Sequence, residues 1–262
     1  MTHASRTMYK ISPEAQKTIA QLMQEHSGTR ISADDLQLIA VGASGRAIVR
    51  HPLLPGIIGI YWTPERADNQ SFLPAAHGLA KQGIRVPSIA AERDCGNGCG
   101  VCLVQDLGKI DILSLKEAVW STRRKAYQQA IHSVHALHNC APDWELQPGF
   151  DTALYRWEQS YFAEHYLQAY CGKNAADFLR QPAMVNLAEF LATQEATPIH
   201  RDFQSQNIMI YQDDAWLIDF QGMRKGRPEY DMASLLLDPY MELSPAEQTE
   251  LLLYWEQVRG CR

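Results

Sequence analysis

The chain has 262 residues, 46% of them apolar, which is enough for one large domain or two small lobes with cores of their own. With 24 Lys and Arg against 30 Asp and Glu, its formal charge is -6. That balance gives no general attraction to phosphate backbones or anionic lipid, so the expectation is a small-molecule partner, with no nucleic acid and no membrane.

In chain order, Ser12-Pro13-Glu14 is a helix-start signal, and Ile19, Ala20, Leu22 and Met23 follow at helical spacing, predicting a first helix over 12–27. Strands are predicted over 36–41, 46–50 and 57–62, with Gly42-Ala43-Ser44-Gly45 turning the first into the second. A helical stripe covers 68–82 despite Pro74, and strands at 89–91 and 101–105 flank a glycine-rich turn. These elements make a mostly antiparallel N-terminal lobe. Beyond it the pattern is helical at 115–138, 151–171 and 183–193, interrupted by short strands at 208–211 and 216–218 around a Gln212-Asp213-Asp214 turn. Ser244-Pro245-Ala246-Glu247 reads as a capping box opening a last helix. The fold class is therefore α+β: a small antiparallel-sheet lobe over residues 1–108 and a mainly helical lobe over 109–262.

The N-terminus lacks the apolar core of a secretory signal, and no apolar run approaches the roughly 20 residues that span a bilayer. Six cysteines, at 95, 99, 102, 140, 171 and 261, are sparse for a disulfide scaffold. A cytoplasmic protein with reduced thiols is expected.

The strongest chemical signal is His200-Arg201-Asp202-Phe203-Gln204-Ser205-Gln206-Asn207, a short strand, then Leu217-Ile218-Asp219-Phe220-Gln221. Phosphoryl transfer needs a carboxylate beside the attacking hydroxyl and oxygen ligands that hold magnesium against the nucleotide phosphates. Asp202 suits the first role; Asn207 and Asp219 suit the second, because a short loop presents 202 and 207 from its two ends and the hairpin returns 219 beside 207. A lone D-x-x-x-x-N arises readily by chance, whereas the joint pattern is specific. The Gly42–Gly45 turn, with Gly42, Ser44 and Gly45 as small residues whose amides can approach phosphates, gains weight only from its place ahead of that loop; a plain hairpin turn is the alternative.

On these residues, together with Asp68–Leu73, Gln105–Gly108, Phe150-Asp151 and Tyr230–Leu236, the chain resembles the aminoglycoside phosphotransferase and choline kinase-like superfamily. Within it the chain is similar to the bacterial anomeric amino-sugar kinases, which phosphorylate N-acetylmuramate and N-acetylglucosamine at the first carbon. The resemblance implies a bilobal protein-kinase-like fold, ATP and Mg2+ as cofactors, a hinge at 104–108 whose Gln105 and Leu107 meet adenine, and Asp231 steadying the catalytic loop. It departs in two places: Ile57–Tyr61 carries no lysine and Asp68-Asn69 no glutamate. Arg46 then becomes the candidate phosphate contact. The chain also ends soon after the Ser244 helix, earlier than the resemblance leads one to expect.

The resemblance implies a small-molecule acceptor, a sugar or an aminoglycoside. Glu158, on a helix with Tyr155, Trp157 and Tyr161, and Arg201 are the candidates for holding it, against the plainer reading of an amphipathic helix packing its aromatics. A small-alcohol kinase and a weakly active nucleotide-binding regulator are the alternatives. Cys95-x-x-x-Cys99-x-x-Cys102 has the spacing of an iron–sulfur site, but its glycine-rich turn context favours ordinary thiols. His132, His135 and His138 read as solvated or hydrogen-bonded histidines, and Arg123-Arg124-Lys125 as a solvated helix face.

Overall fold

The structure, a computed structural model, describes residues 11–41 and 45–260, apart from the side chains of Ala40 and Val41. The expected phosphate-turn residues Gly42 and Ser44 lie outside the described residues. The strands are β1 Gln37–Val41, β2 Ala47–Arg50, β3 Ile57–Trp62, β4 Ile89–Gly96, β5 Cys99–Gln105, β6 Thr197–Ile199, β7 Ile208–Tyr211, β8 Asp214–Leu217 and β9 Arg224–Gly226. The helices are α1 Pro13–Ser27, α2 Phe72–Lys81, α3 Trp120–His138, α4 Thr152–Phe162, α5 Ala175–Leu179, α6 Pro182–Thr193, α7 Pro228–Leu236 and α8 Pro245–Val258. The chain divides into two compact units: one runs up to Ser133 and takes in Gln206–Gln221, and the other joins Val134–Ser205 to the chain from Gly222 onward.

In the first unit, β1 to β5 form an antiparallel sheet in the order β1-β2-β3-β5-β4. Alternation along the strands gives the sheet two different faces. Val49, Tyr61, Val101 and Leu103 pack with Ile19 and Met23 of α1 in a buried core. Gly59 makes that approach possible, because a Cβ there would lie 2.5 Å from Ile19 Cγ2 and 3.0 Å from Met23 Cε. Residues of the opposite parity, Arg46, Ile48, Arg50, Ile58, Ile60 and Val104, line a cavity instead.

α1 starts and stops as its sequence dictates: Ser12 Oγ accepts from Ala15 N at 3.2 Å, and Gly28 closes the helix at a φ of 67°. The predicted 68–82 helix is shorter than expected. Residues Ala67–Ser71 form a 3-10 turn and α2 begins only at Phe72, since Pro74 has no N–H to donate and its ring crowds the carbonyl four residues back. The β7–β8 turn is also tighter than predicted. Gln212 and Asp213 alone make it, at φ of 51° and 63°, and Asp214 already pairs with Tyr211.

Behind β5, Asp106 is fixed twice. Its carboxylate takes a two-pronged salt bridge from Arg50, with Nη2 to Oδ1 at 2.8 Å, and its amide donates to Gly56 O at 2.8 Å. The Asp106 carboxylate also caps Gly108 N at 2.8 Å, so the 105–108 backbone is held by β2.

In the second unit, β6 pairs with β9, and Phe150 N and Gln147 N donate to Lys225 O and Met223 O. Sequence periodicity does not show strands of three residues, so β6 and β9 are additions, as is α5. α4 passes into a π-helical turn, Ala163–Gln168. The capping box at Ser244 forms as predicted, with Ser244 N donating to Glu247 Oε2 at 2.8 Å. Among the described residues, no helix is long and apolar enough to cross a membrane.

The Arg50–Asp106 pair makes stability pH-dependent in a defined direction. The hydrogen-bonded Arg50 guanidinium, outweighing burial, holds the Asp106 carboxyl below the usual carboxylate range. Its contribution is therefore full above the unfolded pKa of about 4 and is lost as pH falls through the lower folded value. Asp106→Asn should cost about 1–3 kcal/mol at pH 7. In denaturant titrations across pH, the gap to the wild type should close below the ordinary carboxylate range; a constant gap would contradict the assignment.

Candidate functional site

The first unit encloses a cavity of about 850 Å³. Leu38, Ile48, Ile58 and Val104 of the sheet and Met209 and Ile218 of the β7–β8 hairpin line it with aliphatic surface, which suits a flat aromatic ring. Gln105 and Leu107 line it too, beside the backbone that Asp106 secures. So do Arg46, Asn207 and Asp219. Five of the residues singled out in the sequence thus share one cavity, and Gly45 precedes Arg46 at a φ of 73°.

Arg46 is buried, and its guanidinium pairs with the Asp219 carboxylate. Its carbon also sits 5.5 Å from the ring centroid of Phe72, which stacks on Phe220 with centroids 5.4 Å apart and planes 10° off parallel. Asp219 holds a left-handed φ of 63°, and its Oδ1 accepts from Gln221 Nε2 at 3.0 Å. Ile218 N donates to Asn207 O at 3.1 Å, which keeps Asn207 against the end of β8. An amide oxygen and a carboxylate are hard donors of the type magnesium takes, and a buried guanidinium is the partner a phosphate takes.

In the second unit, two buried carboxylates grip the loop 200–205. Asp231 of α7, fully buried, accepts from His200 N at 2.8 Å, Arg201 N at 2.9 Å and His138 Nε2 at 2.9 Å. Asp238, just beyond α7, accepts from Ser205 N at 2.9 Å and Ser205 Oγ at 2.5 Å. Between them Arg201 adopts a φ of 77°, which a side chain of its size resists and which the bonds to Asp231 hold in place. Asp202 is half-buried, with Oδ2 3.4 Å from Arg201 Nη1 and its carbonyl accepting from Gln204 N at 2.9 Å.

Around Asp202 the second unit gathers further polar groups. Glu158 Oε1 accepts from Tyr230 Oη–H at 3.2 Å. Tyr230 and Tyr155 pack on Phe150, with centroids 4.9 and 4.8 Å away, and the Arg224 guanidinium lies 5.6 Å from the Phe150 centroid. Burial, then the charge and hydrogen bond of Glu158, push the Tyr230 phenol well above its ordinary range. Burial, then the neighbouring charge of Arg201, pull Arg224 down. Glu158 and Arg201 thus enter one electrostatic cluster with Asp202. Arg224, Tyr230 and Asp238 were not singled out for this site in the sequence. Arg224 sits on a three-residue strand, Tyr230 entered only as the first residue of the Tyr230–Leu236 segment of the resemblance, and Asp238 carries no local signal at all.

The cysteine run is dispersed in depth: Cys95 is exposed, Cys99 half-buried and Cys102 buried, where burial pushes its thiol far up. Among the described residues, no group of three or more His, Cys, Asp or Glu is placed to hold a metal. His138 is a buried, hydrogen-bonded histidine.

Residues 31–261 match a family described as the phosphotransferase enzyme family. The N-acetylmuramate/N-acetylglucosamine kinase of Pseudomonas aeruginosa is 26% identical over 210 residues, covering 74% of this chain and 57% of that protein. The enzyme of the same name from Pseudomonas putida is 27% identical over 202 residues, covering 75% and 58%. The chain thus spans little more than half the length of these curated relatives. Among solved structures, aminoglycoside phosphotransferase APH(3'')-Id of Streptomyces rimosus, in complex with ADP and streptomycin, shares the fold at a TM-score of 0.66 and 14% identity, over 94% of this chain and 92% of that one. A choline/ethanolamine kinase family protein of Mesorhizobium loti does so at 0.64 and 15%, over 92% and 74%. The predicted α+β kinase-like fold is thereby met, and because the family match runs through both compact units, the chain belongs to the phosphotransferase enzyme family.

Proposed function

We propose that the protein is an ATP-dependent kinase that phosphorylates a small hydroxyl acceptor, an N-acetylated amino sugar, on its anomeric hydroxyl. The observation that carries this reading is the convergence of Arg46, Asn207 and Asp219 on one apolar-walled cavity beside Gln105 and Leu107. Residues 1–108 act as the nucleotide-binding lobe, and residues 109–262 carry the catalytic loop and the acceptor site. The names of the curated relatives support the amino-sugar acceptor, and a cytoplasmic location follows from the need for ATP.

In this reading the aliphatic walls take adenine at the 105–107 backbone, and Arg46 meets the phosphates in place of the lysine that β3 lacks. Asn207 and Asp219 hold magnesium, which when bound neutralises charge on the phosphates. Asp202 accepts the proton of the acceptor hydroxyl. A hemiacetal hydroxyl is more acidic than an ordinary alcohol, so a carboxylate serves as base late in a loose transition state. Glu158 and Arg201 orient the acceptor.

Asp202→Asn should lower turnover by about 10²–10⁴-fold while leaving nucleotide affinity near wild type, since the base touches the acceptor alone. Asp219→Ala should weaken magnesium–ATP binding as well as turnover. Calorimetry and initial rates on the two variants separate the roles, and unchanged magnesium–ATP affinity in Asp219→Ala would contradict the metal assignment.

Arg46→Ala should raise the KM for ATP by about tenfold and that for the acceptor by less. Rates measured against each substrate in turn decide this, and an unaltered KM for ATP would return Arg46 to a purely structural role.

Incubation with magnesium–ATP and N-acetylglucosamine should give a 1-phosphate. Phosphorus-to-proton NMR couplings identify it, because only that product couples to the anomeric proton. A 6-phosphate, or phosphorylation of an aminoglycoside and not of the sugar, would overturn the anomeric reading and leave a kinase.

A further inference from the structure

We propose that Arg224, with Arg201 beside it, forms a carboxylate-binding subsite that selects an acceptor bearing an anionic side group. The inference rests on the acceptor-kinase reading and sharpens its substrate class.

The geometry begins at Gly222. A methyl group added there would lie 3.8 Å from Arg201 Nη1 and 3.9 Å from Asp202 Oδ2, so this position faces the catalytic-loop side chains. The Gly222 carbonyl accepts from Arg224 Nε at 3.4 Å, which brings the second guanidinium to the same place. Phe150 backs that guanidinium. Among the described residues Arg224 takes part in no salt bridge, while the nearby Glu158 carboxylate is bonded to the Tyr230 hydroxyl.

A half-buried guanidinium beside a second one, without a carboxylate bonded to it, is costly unless an anion completes the arrangement. Burial and then the charge of Arg201 lower the affinity of Arg224 for its proton, against the smaller opposing pull of Tyr230, Asp202 and Glu158. An incoming carboxylate offsets that cost by offering two oxygens to the planar fork. The anion could come from the acceptor or from the terminal phosphate of the nucleotide. The acceptor is favoured for two reasons. The first unit already holds a buried guanidinium, Arg46, on the nucleotide cavity. The surroundings of Arg224, the Phe150 ring, the Tyr230 hydroxyl and the Glu158 carboxylate, are also those that bind a sugar.

The test compares N-acetylmuramate, which carries a lactyl carboxylate that N-acetylglucosamine lacks, with its own lactyl carboxamide. For the wild type, the amide should bind and react with a dissociation constant and KM about tenfold or more above those of the acid, as expected for loss of one charge-assisted contact. In Arg224→Gln the amide-to-acid ratio should fall toward one, and in Arg224→Lys it should be intermediate. Equal values for acid and amide in the wild type would overturn the proposal without any variant. It would be overturned equally if Arg224→Gln raised the KM for ATP and kept the acid–amide preference, since the guanidinium would then serve the phosphate. Should the wild type phosphorylate neither sugar, the functional reading fails, and calorimetry with acid and amide still decides whether the subsite exists.

Discussion

The period-two alternation of the five-stranded sheet governs the first unit. A single strand, β2, sends Val49 into the core under α1 and Ile48 and Arg50 to the opposite face, where Arg46, the residue just before it, also lies. The apolar half of that face walls the cavity, and its two arginines, Arg46 and Arg50, pair with the carboxylates of Asp219 and Asp106. A register slip of one residue would exchange every one of these roles. Gly59 guards the register from the other side, because only glycine lets Ile19 and Met23 close on β3.

The second unit is organised by electrostatics more than by periodicity. Its short strands carry little pairing, and the loop that bears Asp202 has no ladder of its own. Its backbone donors at 200, 201 and 205 are satisfied by carboxylates instead. The loop can then hold Arg201 in a conformation that its own preferences oppose.

This contrast explains what was legible in the sequence. Strands β1, β2 and β3 and helices α1 and α8 were readable because each rests on local spacing, an alternation or a cap, and the motif spacing of Asn207 and Asp219 led to two residues that line one cavity. The lengths of α2 and of the β7–β8 turn were misjudged where one proline or two left-handed residues overrode the pattern. Asp231 was reached through family resemblance, and its three hydrogen bonds give it a physical reason. Asp238, Arg224 and the partnership of Tyr230 with Glu158 were beyond reach, because each depends on residues brought together from distant parts of the chain. Arg46 lies between these cases: a missing lysine drew attention to it, and the structure puts it against Asp219.

The two anchors of the loop share a single support. Asp231 belongs to α7 and Asp238 follows its C-terminus, so the helix works as a ruler whose length is matched to the span from residue 200 to residue 205. At about 1.5 Å and 100° per residue, removing one residue between the anchors would swing the second carboxylate away from Ser205 even if every side chain were kept. Substitutions along the outer face of α7 are therefore cheap, while changes in its length are not. Between the two anchors the exposed positions Ala233 and Leu237 should drift in composition among proteins that use this loop, while the number of residues from 231 to 238 stays constant.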